Sequence, residues 1–332
     1  MHLATENHST KQSIKIFVSR RLDLNSVIVP NPLYIPVICG TVYSKNQIIK
    51  GCVRDDRGNN ISYKRDSFCE LTVEYWAWKN QISDYYGLCH YRRYLTFVPK
   101  KFITNNEGLV SEGFLDKRSI LKYGLLDEKL MYNSIVSCDA VVNSPVDVED
   151  LFTPIGRVHN VWEFWAAYDG IYFNQKVLPL MMDLIKVYNS KYYVYALKYM
   201  KGKWHRGFNC YILKKDLFFE MCEFQFSILF KLEKILATKG LDKQFERTLG
   251  YIGEILYGIF IYYLQQKAYN VQEKQLVYFE HTLLPKNKLQ MLFNEMLYFL
   301  KVHFESTGFI LLPRGTRRRH LFKKLYMLMT RR

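Results

Sequence analysis

Short apolar runs alternate with longer stretches of mixed polarity along this chain of 332 residues. The run SIKIFVS, residues 13–19, is rich in β-branched side chains and follows a polar leader, which predicts a first strand. The next apolar stretch, VPNPLYIPVICGT, carries three prolines and is expected to be an ordered, non-helical loop. In SFCELTVEYWAWKN, Ser67 precedes Glu70 by three residues, the capping-box spacing in which each side chain satisfies the other's orphan backbone N–H. A helix is predicted there over 68–81. DYYGLCHYRRYLTF (84–97) and CDAVVNSPV (138–146) read as strands with a helical region between them. GFNCYILKKDLFFEMCEFQFSILFKLEKIL reads as a strand entering a long helix near Asp216, and QFERTLGYIGEILYGIFIYYL as a buried helix. Strands alternating with helices predict an α/β fold with a mainly parallel sheet. With no repeat or flexible linker in view, one main domain is expected over 13–265. A polar leader (1–12), a helical extension (266–313) and a basic tail (314–332) flank it.

Composition sharpens this picture at three points. Apolar residues make up 49% and aromatics 16%, enough for a large core. The formal net charge is +16, but 314–332 holds eight Lys/Arg and no acid, so half the excess sits in the tail. The body is only mildly basic, which fits an anionic small substrate at least as well as a nucleic-acid backbone. A nucleic-acid-binding protein is the alternative that the charge, 26 Tyr and 22 Phe suggest, yet no RNP, zinc-finger or helix-turn-helix pattern appears. The seven cysteines are scattered singly among apolar neighbours, with no CxxC pair, and read as reduced, buried thiols. The leader shows no signal-peptide h-region, and the most apolar window, YIGEILYGIFIYYL, is too short and carries Glu254. A soluble or peripheral protein of a reducing compartment is expected.

The candidate chemistry begins in HYRRY. Read as a strand, His90, Arg92 and Tyr94 share one face, and Cys89, Tyr91, Arg93 and Leu95 the other. The cluster falls at the carboxyl end of its strand, where open α/β sheets bind ligands. The competing reading pairs the arginines with carboxylates and packs the tyrosines. The loop RDDRGNNIS offers Asp55, Asp56, Asn59, Asn60 and Ser62 as polar contacts, against a plain turn-rich loop. Glu254 is the one acid in its apolar window, with Arg247 seven residues earlier on the same helix face; a buried structural pair is the competing account. Asp139 and Asp147 are lesser acid candidates. His159, His205 and Asn209 are further polar candidates.

ISYKRDSFCELTVEYWAWKN followed by YYGLCHYRRYL resembles the signature of a bacterial glycosyltransferase family, long catalogued as a domain of unknown function, from capsular, exopolysaccharide and lipopolysaccharide loci. LYIPVICG, DDRGNNIS, FNCYILKKDLF and RTLGYIGEIL fall in the family's order, over about 13–265. One departure stands out: Ser19-Arg20-Arg21 occupies the place of an expected histidine and lysine. The resemblance implies a GT-A-like fold and a transferase of the hexosyltransferase, inverting type. Its donor would be a UDP-linked sugar and its acceptor a lipid-linked or growing surface glycan. Such folds usually place an acidic D-x-D pair for a divalent cation where this chain has His90-Tyr91-Arg92-Arg93-Tyr94. The implied site is therefore metal-independent, with Arg92 and Arg93 on the donor diphosphate and His90 and Tyr91 beside it. Asp55, Asp56, Asn60 and Ser62 would hold the nucleotide, with Mn²⁺ or Mg²⁺ on Asp55 and Asp56 left open. Glu254 would deprotonate the acceptor, and His159, Asn209 and Arg247 would contact it.

The tail RRRHLFKKLYMLMTRR, drawn as a helix, puts Leu321, Phe322, Leu325, Tyr326, Leu328 and Met329 on one arc opposite Lys323 and Lys324. That is the pattern of an interfacial helix on an anionic leaflet, and it predicts a cytoplasmic protein held at the inner membrane face, without nucleic acid as a partner.

Overall fold

The computed structural model describes residues 11–44, 50–241 and 245–283, with isolated positions between 289 and 321. Its strands are β1 (Ile14–Arg20), β2 (Tyr34–Ile38), β3 (Val53–Arg54), β4 (Tyr85–His90), β5 (Arg93–Leu95), β6 (Leu109–Phe114), β7 (Ala140–Asn143), β8 (Val146–Asp147), β9 (Trp204–His205), β10 (Tyr211–Lys214), β11 (Val271–Lys274) and β12 (Leu276–His281). The helices are α1 (Arg65–Phe68), α2 (Leu71–Asn80), α3 (Lys117–Lys122), α4 (Glu128–Val136), α5 (Val161–Ala166), α6 (Val177–Tyr188), α7 (Ser190–Lys201), α8 (Lys215–Lys239) and α9 (Thr248–Gln266).

The main sheet runs β3-β2-β1-β4-β10-β7-β11, parallel except for β10, which lies antiparallel between β4 and β7. The inner strands β1, β4, β7 and β10 are mostly apolar because both faces are covered, whereas the edge strands β3 and β11 read VR and VQEK. Ile14, Ile16 and Val18 pack with Tyr85, Cys89 and Ile212 on one face, while Phe17 joins Tyr86, Leu88 and Leu213 on the other. The second face is the larger core, closed by α2, α6, α7, α8 and α9. By the same alternation His90 continues the Tyr86–Leu88 face toward α9.

Three expectations are corrected. The proline-rich loop contains β2, which lies beside β1 through Ile16↔Tyr34 to Arg20↔Ile38. The Cys39 N–H donates to Arg20 of β1, so two-residue periodicity turns the missing N–H of Pro36 away from β1. On that side β3 pairs only with Val37 and Ile38, so Pro36 behaves as an edge residue. The helix of 68–81 is broken into α1 and α2 at Cys69, whose φ is 51°. The stretch after 265, expected to be helical, instead supplies β11 and β12 to the sheet; helix returns at isolated positions from 289 onward. Most of 314–332, the proposed interfacial helix, lies outside the described residues; Arg319 is buried and donates to Asn106. No helix among the described residues is long and apolar enough to cross a membrane.

Trp76 and Trp78 both belong to the core, Trp76 edge-on to Phe17 and Trp78 stacked on Phe226. On the same helix Glu74 is 1% exposed, accepting a 2.7 Å hydrogen bond from Tyr211 while its Oε2 has no partner among the described residues. Burial pushes its carboxyl up from 4.5 to about 8. Between those values the native state holds one more proton than the unfolded chain. Stability must therefore fall as pH rises, by at most about 1.4 kcal/mol per pH unit from this group. Glu74→Gln keeps an acceptor for Tyr211 and removes the titration. Urea unfolding across pH 5–8 is expected to show a shallower loss of stability in this variant than in the parent; equal slopes would assign the proton elsewhere.

Candidate active site

The carboxyl ends of β1, β2 and β4 open into a cleft of about 1000 Å³. Among the described residues six arginines line it (Arg20, Arg21, Arg65, Arg92, Arg93 and Arg247) and no lysine does. Guanidinium forks rather than point charges suit a phosphate-bearing ligand.

The expected single strand through HYRRY is in fact a hairpin. Ser19 of β1 pairs with His90, the chain reverses at Tyr91-Arg92, and Arg93 pairs back with His90 before β5 departs along β12. The turn delivers both arginines to the cleft, under different constraints. Arg92 donates to the carbonyls of Phe279 (3.3 Å) and Glu280 (3.2 Å) and lies over the Tyr278 ring. Arg93 lies 4.5 Å from the Phe208 ring centroid, and its buried Nε has no partner among the described residues. A cation held by an aromatic face but short of acceptors is prepared for an anion. His90 Nδ1 is also buried without a partner. Burial, then Arg93 and Arg92, hold its pKa well below the ordinary range, so the ring is neutral.

The departure at Ser19-Arg20-Arg21 has a structural account. Arg20 is buried and donates to the carbonyls of Val27 (3.0 Å) and Ser26, pinning the loop after β1. Arg21 forms a bidentate pair with Asp23 at 2.9 and 2.6 Å.

Among the described residues seven acids line the cleft, Asp23 and Asp66 paired with Arg21 and Arg65; two of the others, Glu254 and Glu70, are tied to the segment 205–209. Glu254, on α9, accepts from the Phe208 N–H at 3.1 Å. Burial and the nearby Glu70 push its pKa up to about 7, against the pull of Arg93, the Phe208 N–H and Arg247. Glu70 does not make the expected capping box. With the helix broken at Cys69, its side chain turns into the cleft and accepts from Asn209 Nδ2 at 3.0 Å. Cys69 Sγ meets Arg247 Nε at 3.2 Å.

The segment 205–209 is held in a costly shape. Phe208 and Asn209 have φ of 73° and 41°, a region that L-residues avoid at roughly 1–3 kcal/mol each. Gly207 permits it: a Cβ there would lie 2.9 Å from His205 Nε2 and 3.0 Å from Glu254 Oε2. Behind the loop, Asn143 donates to the Gly207 carbonyl (3.2 Å) and accepts from Tyr257 (2.9 Å). Tyr199 Oη accepts from the Arg206 N–H and lies 3.1 Å from His205 Nδ1. Gly258 makes room for that phenol, since a Cβ would sit 2.1 Å from it. His205, pushed down to about 3 by burial and Arg206, is neutral.

Of the other expected contacts, Asp55 is corrected. It is fully buried and accepts from the Gly40 and Thr41 N–H groups and from the hydroxyls of Thr41, Ser62 and Thr72. It ties the β2–α2 region together, Ser62 is consumed with it, and neither lines the cleft. Asp56 is clamped by Arg54, and Asn60 closes its own turn onto Gly58 and Ser62. His159 pairs with Glu149 outside the cleft, Asp139 with Lys214 and Asp147 with Lys203. Asn209 sits behind the surface as the support of Glu70, and Arg247 lines the cleft. The residues not anticipated are Arg65 and the aromatic group Phe164, Trp165, Tyr168, Tyr172 and Tyr251. Tyr168 and Tyr172, four apart around Gly170, were a visible signal.

A family model described as a domain of unknown function, DUF4422, matches residues 15–267, more than half of the chain. The chain belongs to the DUF4422 family. Among solved structures, the apo structure of the WbbM bifunctional glycosyltransferase is similar, with a TM-score of 0.72 and 27% sequence identity. The match covers 83% of this chain and 48% of that one, so this DUF4422 chain spans about half of its length. The likeness bears out a GT-A-like α/β fold. No curated protein matches.

For this DUF4422 protein the contrast between Arg93 and Arg21 gives a direct test. If the cleft takes a nucleoside diphosphate, as proposed below, calorimetric titration with UDP is expected to show Arg93→Ala weakening binding roughly ten- to a hundredfold, the worth of a charge-assisted hydrogen bond of about 1.5–3 kcal/mol. Arg21→Ala, whose guanidinium is already paired with Asp23, should change it little. The reverse ranking would move the anion site to the β1 end.

Proposed function

We propose that this protein is a glycosyltransferase that moves a hexosyl group, with inversion, from a UDP-linked sugar to a lipid-linked or growing surface polysaccharide. The observation that carries the proposal is the adjacency of Glu254, a carboxyl with a pKa of about 7, to Arg93, a guanidinium with no hydrogen-bonding partner among the described residues. Family membership and the likeness to a bifunctional glycosyltransferase support it.

In the proposed step the Glu254 carboxylate takes the proton of an acceptor hydroxyl as that oxygen attacks the anomeric carbon. The bond from that carbon to the diphosphate oxygen breaks, and its electron pair leaves on the nucleoside diphosphate. Arg93 and Arg92 stabilise the charge that develops there. Glu70 raises the basicity of Glu254 through the repulsion that holds its pKa up, and Asn209 fixes Glu70 in place. Neutral His90 adds no further charge to the cationic end.

GT-A-like folds commonly use a divalent cation. Asp55 does not fit one, because five donors already occupy its two oxygens, and Asp56 is neutralised by Arg54. Transfer without a metal is therefore part of the proposal, with guanidinium groups in the cation's role. Membrane attachment through 314–332, at the inner face where lipid-linked glycans are built, is proposed on sequence grounds.

Two outcomes are expected. Turnover of a UDP-sugar should survive EDTA; loss in EDTA with recovery on Mn²⁺ would contradict the guanidinium mechanism. The rate, kcat/KM, should rise with pH and reach half its plateau near pH 7, since only ionised Glu254 accepts the proton. Glu254→Gln should lower it by roughly 10²–10⁴-fold and flatten that limb. A Gln variant that keeps the parent's pH limb would assign the base elsewhere.

A further inference from the structure

The arginine side of the cleft accounts for a phosphate; the opposite chemistry lies one helical turn from Glu254 and is so far unassigned. Tyr251 precedes Glu254 by three residues on α9, so both point into the cleft. Tyr172 stacks on Tyr251 with ring centroids 4.9 Å apart, and Tyr168 on Tyr172 at 4.7 Å. Trp165 stands edge to face with His205 and 6.0 Å from Tyr251.

This wall is built rather than incidental. The turn after α5 is fixed by Gly170, whose φ is 74°, by the Gly170 N–H on the Phe173 carbonyl, and by Asp169 accepting twice from Gln175. Phe173 is fully buried and anchors the turn, yet the adjoining Tyr172 is 39% exposed. Trp165 is 4% exposed, and its indole N–H has no partner among the described residues, an arrangement that is destabilising unless something accepts from it. The Tyr172 and Tyr251 hydroxyls also make no hydrogen bond to the described residues, whereas Tyr168 donates to the Phe152 carbonyl.

We infer that the Trp165–Tyr168–Tyr172–Tyr251 wall, with Arg247 5.7 Å from the Tyr251 ring centroid, is the acceptor subsite, and that its ligand is a pyranose ring of a glycan. The inference rests on the transferase reading above and names the side from which its second substrate arrives. Aromatic edges and faces suit the C–H surfaces of a sugar ring, while the indole N–H and the two phenols match its hydroxyls. Position selects the sugar over the nucleobase. The leaving diphosphate binds at Arg92 and Arg93, and the base lies beyond the diphosphate, away from the transferred sugar. The tyrosine stack is contiguous with Glu254, where the acceptor hydroxyl must lose its proton.

The test uses the full chain, UDP, and a panel of short gluco-, galacto- and manno-oligosaccharides read by saturation-transfer NMR. Tyr172→Ala alters an exposed side chain, and Trp165→Phe keeps an aromatic, though smaller, ring while removing the donor. The parent is expected to bind at least one panel member, and Tyr172→Ala to weaken that binding at least tenfold with UDP affinity unchanged. Trp165→Phe should weaken the same sugar with UDP again unaffected. Loss of UDP affinity with sugar binding intact would give the wall to the nucleobase. Unchanged binding of both ligands would make it structural, and a parent that binds UDP but no panel sugar also overturns the inference. Failure of the parent to bind UDP would sink the transferase reading itself, a result distinct from the others.

Discussion

The site depends on one hydrogen bond, from the N–H of Phe208 to the carboxylate of Glu254. To aim that N–H, two successive residues adopt positive φ without being glycine, at a cost the surrounding packing must offset. The offset comes from buried partners: Asn143 and Tyr257 beneath Gly207, Tyr199 on Arg206, and Asn209 on Glu70. Asn143, Tyr257 and Tyr199 stand on β7, α9 and α7, so the geometry of the carboxylate is inherited from the interior.

The cleft presents different chemistry on the two sides of that carboxylate, with Arg247 near the Tyr251 ring. On one side the β4–β5 turn presents Arg92 and Arg93, one leashed to β12 carbonyls and one resting on Phe208. On the other, α5 and the turn after it present rings and hydroxyls. Phe208 belongs to both arrangements, since its backbone donates to Glu254 and its ring supports Arg93. A change there would disturb the proposed base and the proposed anion site together, which is the coupling expected if the two act on one bond.

Much of this was legible in the sequence. The α/β alternation, the strand of Ile14–Arg20, the buried helix of Glu254 and the cluster at His90–Arg93 were readable because periodicity and charge are local signals. Three features were hidden by competing local rules. Ser67 and Glu70 satisfy the capping-box spacing, but Cys69 breaks the helix and frees Glu70 for the cleft. Three prolines argued against β2, yet the missing N–H of Pro36 turns away from β1, toward a side where β3 pairs only with Val37 and Ile38. The acids of RDDRGNNIS looked like a ligand loop, whereas Asp55 collects donors from Ser62 within it and from segments 14 to 17 residues away, a convergence no short window of sequence displays. The tyrosine wall escaped because its parts come from the turn after α5 and from α9, joined only by the fold.

The central claim is that the anion and the base meet at Arg93 and Glu254. A crystal structure of the protein with UDP bound tests it most directly. The account predicts a terminal phosphate oxygen within about 3 Å of the Arg93 guanidinium, with open space between it and Glu254. A diphosphate seated instead on a cation beside Asp55 and Asp56, with Arg93 still lacking an acceptor, would contradict it.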